Sequence, residues 1–320
     1  MRRRIGLVLS GLALLLSACG ASAASAPPPP AKKAAPGGFP ARVTSADGVV
    51  PIARRPGRIL CLTASGTQML YAIGAGKQVV GVDKYSTYPA SAPRTKFTGY
   101  ESSAEDYLPL KPDLVILSFS TGTLISQLRK LDIPTLLLPP ATTVQGTLAQ
   151  LDELGQATGH LQAARRVGAK LVEFLHHEAQ QAHGRGKGKS YYIELDPTYY
   201  SATSKTFIGA MFSLFGMRDI ADAANKASAG YPQLSAEYIL RADPNYVFLA
   251  DTVCCHQTAK SFAARPGFAG LRAVKAHDVI PMNDSVASEW GPHSMETFVR
   301  LLVSVLEGRF HAPAPTAASG

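Results

Sequence analysis

The chain has 320 residues, 46% of them hydrophobic and 17% charged, with a formal charge of +9. Arg2, Arg3 and Arg4 lie in an N-terminal segment that export would remove, which lowers the charge to +6. That mild balance, with no Lys/Arg stripe interleaved with aromatics, excludes a nucleic-acid-binding domain, and the roughly 270 residues between the two ends of the chain suffice for two lobes with separate cores.

Residues 1–18 have a basic start, an apolar run from Ile5 to Leu16 and small residues before Cys19, the pattern of a secretion signal. Leu16-Ser17-Ala18-Cys19 looks like a bacterial lipobox, in which Cys19 is lipidated and becomes the mature N-terminus; ordinary cleavage after Ala18 is the alternative. The apolar run is too short to span a membrane comfortably, and no later stretch reaches about 18 uninterrupted apolar residues. The chain is therefore expected outside the cytoplasm, anchored to the outer face of the cell membrane by lipid. Residues 19–40, with four consecutive prolines and two lysines, read as a semi-extended tether.

Residues 41–142 alternate strand and helix. "RILCL" (58–62), "QVVGV" (78–82) and "PTLLLP" (134–139) are strand-like, whereas "SGTQMLYAIG" (65–74) and "LISQLRKLD" (124–132) are helical. From 143 to 184 there is no Pro, and Leu148, Leu151, Leu154, Leu161, Val167, Leu171 and Phe174 lie near helical spacing. This predicts one helix of roughly 35 residues, spanning about 50 Å, with Gly159 as its one candidate kink. Residues 185–311 restart the alternation with "YYIEL" (191–195), "FIGAMFSLFG" (207–216) and "DVIPM" (278–282), and 312–320 form a frayed tail. The fold class is thus α/β: two Rossmann-like lobes with parallel sheets, joined by one long bridging helix, with a ligand cleft between them.

Two segments repeat without a gap: "SAEDYLPLKPDLVIL" (103–117) and "SAEYILRADPNYVFL" (235–249). Each opens with a Ser suited to an N-cap and a Glu in the first turn, where the helix dipole favours a carboxylate. Each then runs through a Pro that ends the helix into an apolar strand. Open parallel sheets bind ligands at the carboxyl ends of their strands. Loops there carry Tyr85, Tyr88, Phe119, Tyr199, Tyr200 and, near the last strand, Trp290, with Asp284 as a candidate polar contact. Arg94, Arg218 and Arg265 are available for an anionic ligand, but no motif singles one out. Cys61 reads as a buried thiol. The adjacent Cys254 and Cys255 can close a strained ring or stay reduced. Their neighbour His256 suggests soft metal ligands, yet no second His/Cys cluster lies nearby in the sequence, so no metal site is expected. His160, His176, His177 and His183 fall on or beside the bridging helix, and His293 is expected to be solvated or to cap a helix.

The repeated Glu-containing helices, "RILCLTASGTQMLYAIGAGKQVVGVDKYSTYP", "LKPDLVIL" and the bridging helix resemble the helical-backbone class of substrate-binding proteins of ABC importers, a class that carries iron–siderophore complexes, haem and cobalamin. The resemblance covers nearly the whole mature chain. Within the class it is most similar to the cobalamin binders, whose aromatic loop, aromatic before the first Glu and aromatic-Pro before the second are met by Tyr85, Tyr88, Tyr100, Tyr231 and Pro232. Tyr stands here where those proteins tend to use Trp. The resemblance implies a monomer that captures cobalamin, or another metal chelate, between its lobes and needs no cofactor. It also implies docking on a permease, driven by its ATPase, through Glu105 and Glu237, because a two-fold partner calls for a two-fold surface. An exported enzyme such as a hydrolase or chelatase is the contrasting reading. Phosphate-loop, G-x-S-x-G, H-E-x-x-H and dinucleotide patterns are all missing from the sequence, and no catalytic residue is assigned.

Overall fold

The computed structural model describes residues 38–101, 103–120, 122–224 and 230–310. The signal segment, Cys19, most of the tether and the tail lie outside the described residues. Described residues begin with an antiparallel hairpin, β1 (Ala41–Ser45) and β2 (Gly48–Ile52). The first lobe follows as β3 (Ile59–Leu62), α1 (Ala64–Ala72), β4 (Val79–Val82), β5 (Leu114–Leu117), α2 (Leu124–Lys130) and β6 (Thr135–Leu137). Next come α3 (Val144–Thr158) and α4 (Leu161–Gln181). The second lobe holds β7 (Ser190–Glu194), α5 (Phe207–Ser213), β8 (Arg218–Asp219), α6 (Ala236–Ala242) and β9 (Tyr246–Leu249). It continues with α7 (Ala259–Ala263), α8 (Arg272–Lys275), β10 (Val279–Pro281), α9 (Asp284–Ser288) and α10 (Pro292–Leu306).

Each lobe contains a four-stranded, wholly parallel sheet, ordered β4-β3-β5-β6 in the first and β8-β7-β9-β10 in the second. Numbered within its own lobe, each order is second-first-third-fourth, so the two lobes share one topology. The repeated segments occupy equivalent places and supply the third strand of each sheet. Ser103 and Ser235 cap their helices through the side chain. Lys111 (φ 46°) and Asp243 (φ 40°) then take the same left-handed turn into the strand. Pro109 inside the first copy leaves residues Ala104–Leu110 as a 3₁₀ helix, whereas its counterpart α6 is α-helical.

Alternation along the strands builds the layers. Ile59 and Cys61, Leu114 and Ile116, and Tyr191 and Ile193 point into one apolar core that runs on through α1, α3, α4, α5 and α10. Leu60, Leu62, Val115 and Leu117 face a separate outer core in the first lobe; Tyr192, Val247 and Leu249 do so in the second. Because the inner core is continuous across both lobes, large hinge motion would expose packed apolar surface.

The single helix predicted for 143–184 is instead two. Gly159 adopts φ 77°, its N–H bonds the Gly155 carbonyl, and α3 ends there. The chain folds back, so Asp152 meets Arg165 at 3.6 Å and a methyl group on Gly155 would lie 2.6 Å from Ala164 Cβ. Small residues at this contact let α3 and α4 close as an antiparallel hairpin. Only α4, about 30 Å long at 1.5 Å per residue, carries the chain on to β7. No helix among the described residues is long and apolar enough to cross a membrane.

Candidate functional site

The carboxyl ends of the second-lobe strands open onto a cavity of about 320 Å³. Its walls come from Leu195 after β7, Tyr231 after β8, Ala250 and Cys254 after β9, and Asp284 with Ala287 and Ser288 on α9, while Pro140 reaches it from the first lobe. Phe207 and Ile208 enter from the first turn of α5, whose N-terminus is fixed by the Thr206 hydroxyl accepting the Gly209 N–H. The surface they present is mostly apolar, and no Lys or Arg is among the lining residues.

Trp290 forms the floor and is 8% exposed. Although it follows the second-lobe strands in sequence, it is held by the first lobe and the helix hairpin. Its N–H donates to Ser65 Oγ at 2.9 Å, its Nε1 to Gln150 Oε1 at 2.7 Å, and its carbonyl accepts from Thr147 at 3.2 Å. Beside it, the Gln68 side-chain amide donates to Glu289 and to Ser294 Oγ (2.8 Å), and Gln68 Oε1 accepts the Ser294 N–H (3.0 Å). Burial raises the Glu289 carboxyl to about 7 despite these donors. A buried and nearly saturated polar seam therefore fixes the cleft floor to both lobes.

Three of the expected ligand residues, Tyr231, Asp284 and Trp290, meet at this cavity. Asp284 is already engaged: its two oxygens accept the N–H groups of Val253 (3.0 Å) and Cys254 (2.8 Å). Its visible work is to hold the loop after β9. Tyr200 is exposed on the loop whose backbone pairs with Gln233, next to Tyr231 and Pro232. In the first lobe, Tyr100 is 59% exposed with its ring centroid 4.3 Å from that of Phe119, and Tyr85 is also exposed. Tyr88 stacks on His293 of α10 at 3.6 Å with planes 4° apart, so His293, solvent-exposed as expected, is also a ring partner. Tyr199 is turned elsewhere. At φ 72° it packs against Phe268 (6.0 Å) in the outer core of the second lobe and not onto the cavity.

Arg265 is likewise unavailable to a ligand. Both its terminal nitrogens bond Glu194 at 2.6 Å, and the pair is buried among Tyr199, Phe262 and Phe268. Asp251 lies beside Glu194, and desolvation and that neighbouring carboxylate lift its carboxyl to about 7. Cys61, Cys254 and Cys255 are free thiols; burial drives Cys61 up to about 12. Glu105 and Glu237 are exposed at equivalent positions of the two repeats. The backbone at Glu237 and the Ser235 hydroxyl hold the Glu237 carboxyl below its ordinary range. Sequence reasoning missed the apolar wall, Pro140, Leu195, Phe207, Ile208, Ala250 and Ala287, since isolated aliphatic residues at strand ends carry no signal apart from core.

The chain is 27% identical over 286 residues to an uncharacterized ABC transporter substrate-binding lipoprotein of Bacillus subtilis (strain 168), covering 85% of this chain and 87% of that one. It is 28% identical over 259 residues to a cobalamin-binding protein of Halobacterium salinarum (strain ATCC 29341 / DSM 671 / R1), covering 77% and 68%. Among solved structures, the periplasmic heme-binding protein from Roseiflexus sp. RS-1 superposes with a TM-score of 0.70 at 21% identity, over 80% of this chain and all of that one, which supports the two-lobed fold. Residues 59–286 match the sequence pattern of the periplasmic binding proteins, and the chain belongs to that family.

Proposed function

We propose that this protein is the extracytoplasmic receptor of an ABC importer, tethered by lipid at Cys19, and that it captures a corrinoid between its lobes and hands it to a permease. The observation that carries the ligand class is the cavity: an apolar chamber floored by Trp290, without a lining Lys or Arg, at the strand ends that also bear exposed tyrosines. A flat macrocycle with a polar rim suits stacking surfaces and scattered hydrogen-bond donors. An anionic ferric siderophore would favour a cationic wall, and Arg265 is neutralised by Glu194. At about 320 Å³ the chamber is at the small end of ligand pockets. A corrinoid would therefore seat one edge there and lie against Tyr231, Tyr200 and the first-lobe tyrosines with the rest of its body. The cobalamin-binding relative at 28% identity supports this choice.

Delivery rests on Glu105 and Glu237, one per lobe on the repeated helices, meeting basic groups on two permease subunits. Replacing both with Ala is expected to leave cobalamin affinity unchanged and to reduce cobalamin uptake by cells carrying the importer at least tenfold. Uptake at the wild-type rate would remove the docking role.

A further inference from the structure

Ligand capture by aromatic stacking leaves one piece of chemistry in the cavity wall unused. Cys254 is exposed and lines the cavity, and Cys255, next in the chain, is half-buried. The Cys254 thiol interacts with both the Cys255 thiol and the Asp284 carboxylate; desolvation against the wall and these two neighbours raise its pKa. Both ends of this short turn are anchored. Asp284 accepts the N–H groups of Val253 and Cys254, and the Asp251 carbonyl accepts those of Cys255 (3.2 Å) and Gln257 (3.3 Å). The Cys254 thiol is thus held at the cavity wall with Cys255 as its chain neighbour, in a family whose members work outside the reducing cytoplasm.

We infer that Cys254 and Cys255 are a redox-modified dithiol, closed to a vicinal disulfide by an extracytoplasmic disulfide oxidant, and that closure weakens ligand capture; the second half rests on the corrinoid reading. Cys254 reacts as its minor thiolate form, the proton passing to water. The Cys254 sulfur attacks the oxidant disulfide and expels one sulfur as a thiolate. Cys255 then attacks the Cys254 sulfur of this mixed disulfide and expels the other oxidant sulfur. The pair loses two protons and two electrons, and the oxidant leaves as two thiols. Adjacent Cα atoms across a trans peptide stand about 3.8 Å apart, shorter than the usual 4.4–6.8 Å of a disulfide, so the ring is strained and readily reduced. That strain turns the Cys254–Cys255 peptide, whose N–H now bonds the Asp251 carbonyl, and the turn, carried back through the Cys254 backbone, draws the Val253 and Cys254 N–H groups off Asp284, which then presents a bare carboxylate to an otherwise apolar chamber.

The test equilibrates the mature protein with glutathione couples of graded ratio and follows the Cys254–Cys255 peptide by mass spectrometry. The expected result is a reversible species about 2 mass units lighter, and capture of the reduced pair by phenylarsine oxide. Neither appears in Cys255→Ser, or in Cys254→Ser should the first variant misfold. Full alkylation of both thiols at every ratio, with no lighter species, overturns the inference. In parallel, cyanocobalamin affinity is expected to fall about tenfold on oxidation of the wild type and not to change for Cys255→Ser. A ring that forms without altering affinity refutes the control of binding. Should reduced protein bind no cobalamin while the ring still forms, the ligand reading fails and the modification stands.

Discussion

Arg265 and Glu194 concentrate charge inside the second lobe, with side chains 13% and 0% exposed. Arg265 bonds Glu194 and not the neighbouring Asp251, whose oxygens have no hydrogen-bond donor among the described residues. Removing the cation alone strands Glu194 and withdraws the positive charge that also acts on Asp251. Arg265→Met is expected to destabilise by about 3–5 kcal/mol, with Arg265→Met/Glu194→Leu recovering part of it in denaturant titration; a single variant as stable as wild type would show that the pair does not hold the lobe. Other buried acids set a pH dependence. Asp219, from 3.8, and Glu289, from 4.5, are both raised to about 7, burial being the main cause in each. A raised carboxyl pKa means that the folded state binds extra protons between the two values, so its stabilising share is complete below about 4 and is lost as pH rises through 7. The melting temperature is expected to be higher at pH 5 than at pH 8, and Asp219→Asn with Glu289→Gln to flatten the difference. Legibility was uneven at this scale. Tyr231 and Trp290 were readable as residues near the strand ends that line the cavity, but the sequence does not say that Tyr199 turns inward or that Arg265 is spent on Glu194, because both depend on partners about 70 residues away.

Repeated segments were the most legible elements, because cap, first-turn Glu, Pro and apolar strand are all local signals. Their shared left-handed residue makes a differential prediction. Lys111 bears the strain of φ 46° without a side-chain bond to any described residue, whereas Asp243 at φ 40° uses its carboxylate to accept the N–H and the Nε–H of Arg272, each at 2.8 Å. Lys111→Gly is expected to stabilise by about 1 kcal/mol, and Asp243→Gly to gain less or to destabilise, read as denaturant midpoints at constant slope. Equal shifts would argue against the Arg272 contact. The helix hairpin was misread as one helix because α3 and α4 keep nearly the same apolar spacing on both sides of Gly159. Only the glycine's left-handed turn and the small residues Gly155, Ala164 and Gly168 mark the reversal. Hairpin β1–β2 was overlooked although Asp47-Gly48 lies at its turn, a recognised hairpin signal.

At the scale of the molecule, two copies of one parallel topology share an inner core and a floor bolted to both lobes through Trp290 and Gln68. Alternation of strand and helix made this fold class readable, whereas the cleft wall arises only once the strand ends of separate segments converge. The central claim is that this convergence receives a corrinoid, and the direct measurement is calorimetric titration of the protein with cyanocobalamin, with haem and ferric siderophores run alongside. Quenching of Trp290, the single tryptophan, would report occupancy of the floor in the same samples. One-to-one binding below about 1 μM, with Trp290 quenched and affinity at least tenfold weaker in Tyr231→Ala, is the predicted result. No cobalamin heat beside tight binding of haem or a ferric siderophore would contradict the ligand assignment while leaving the two-lobed receptor intact.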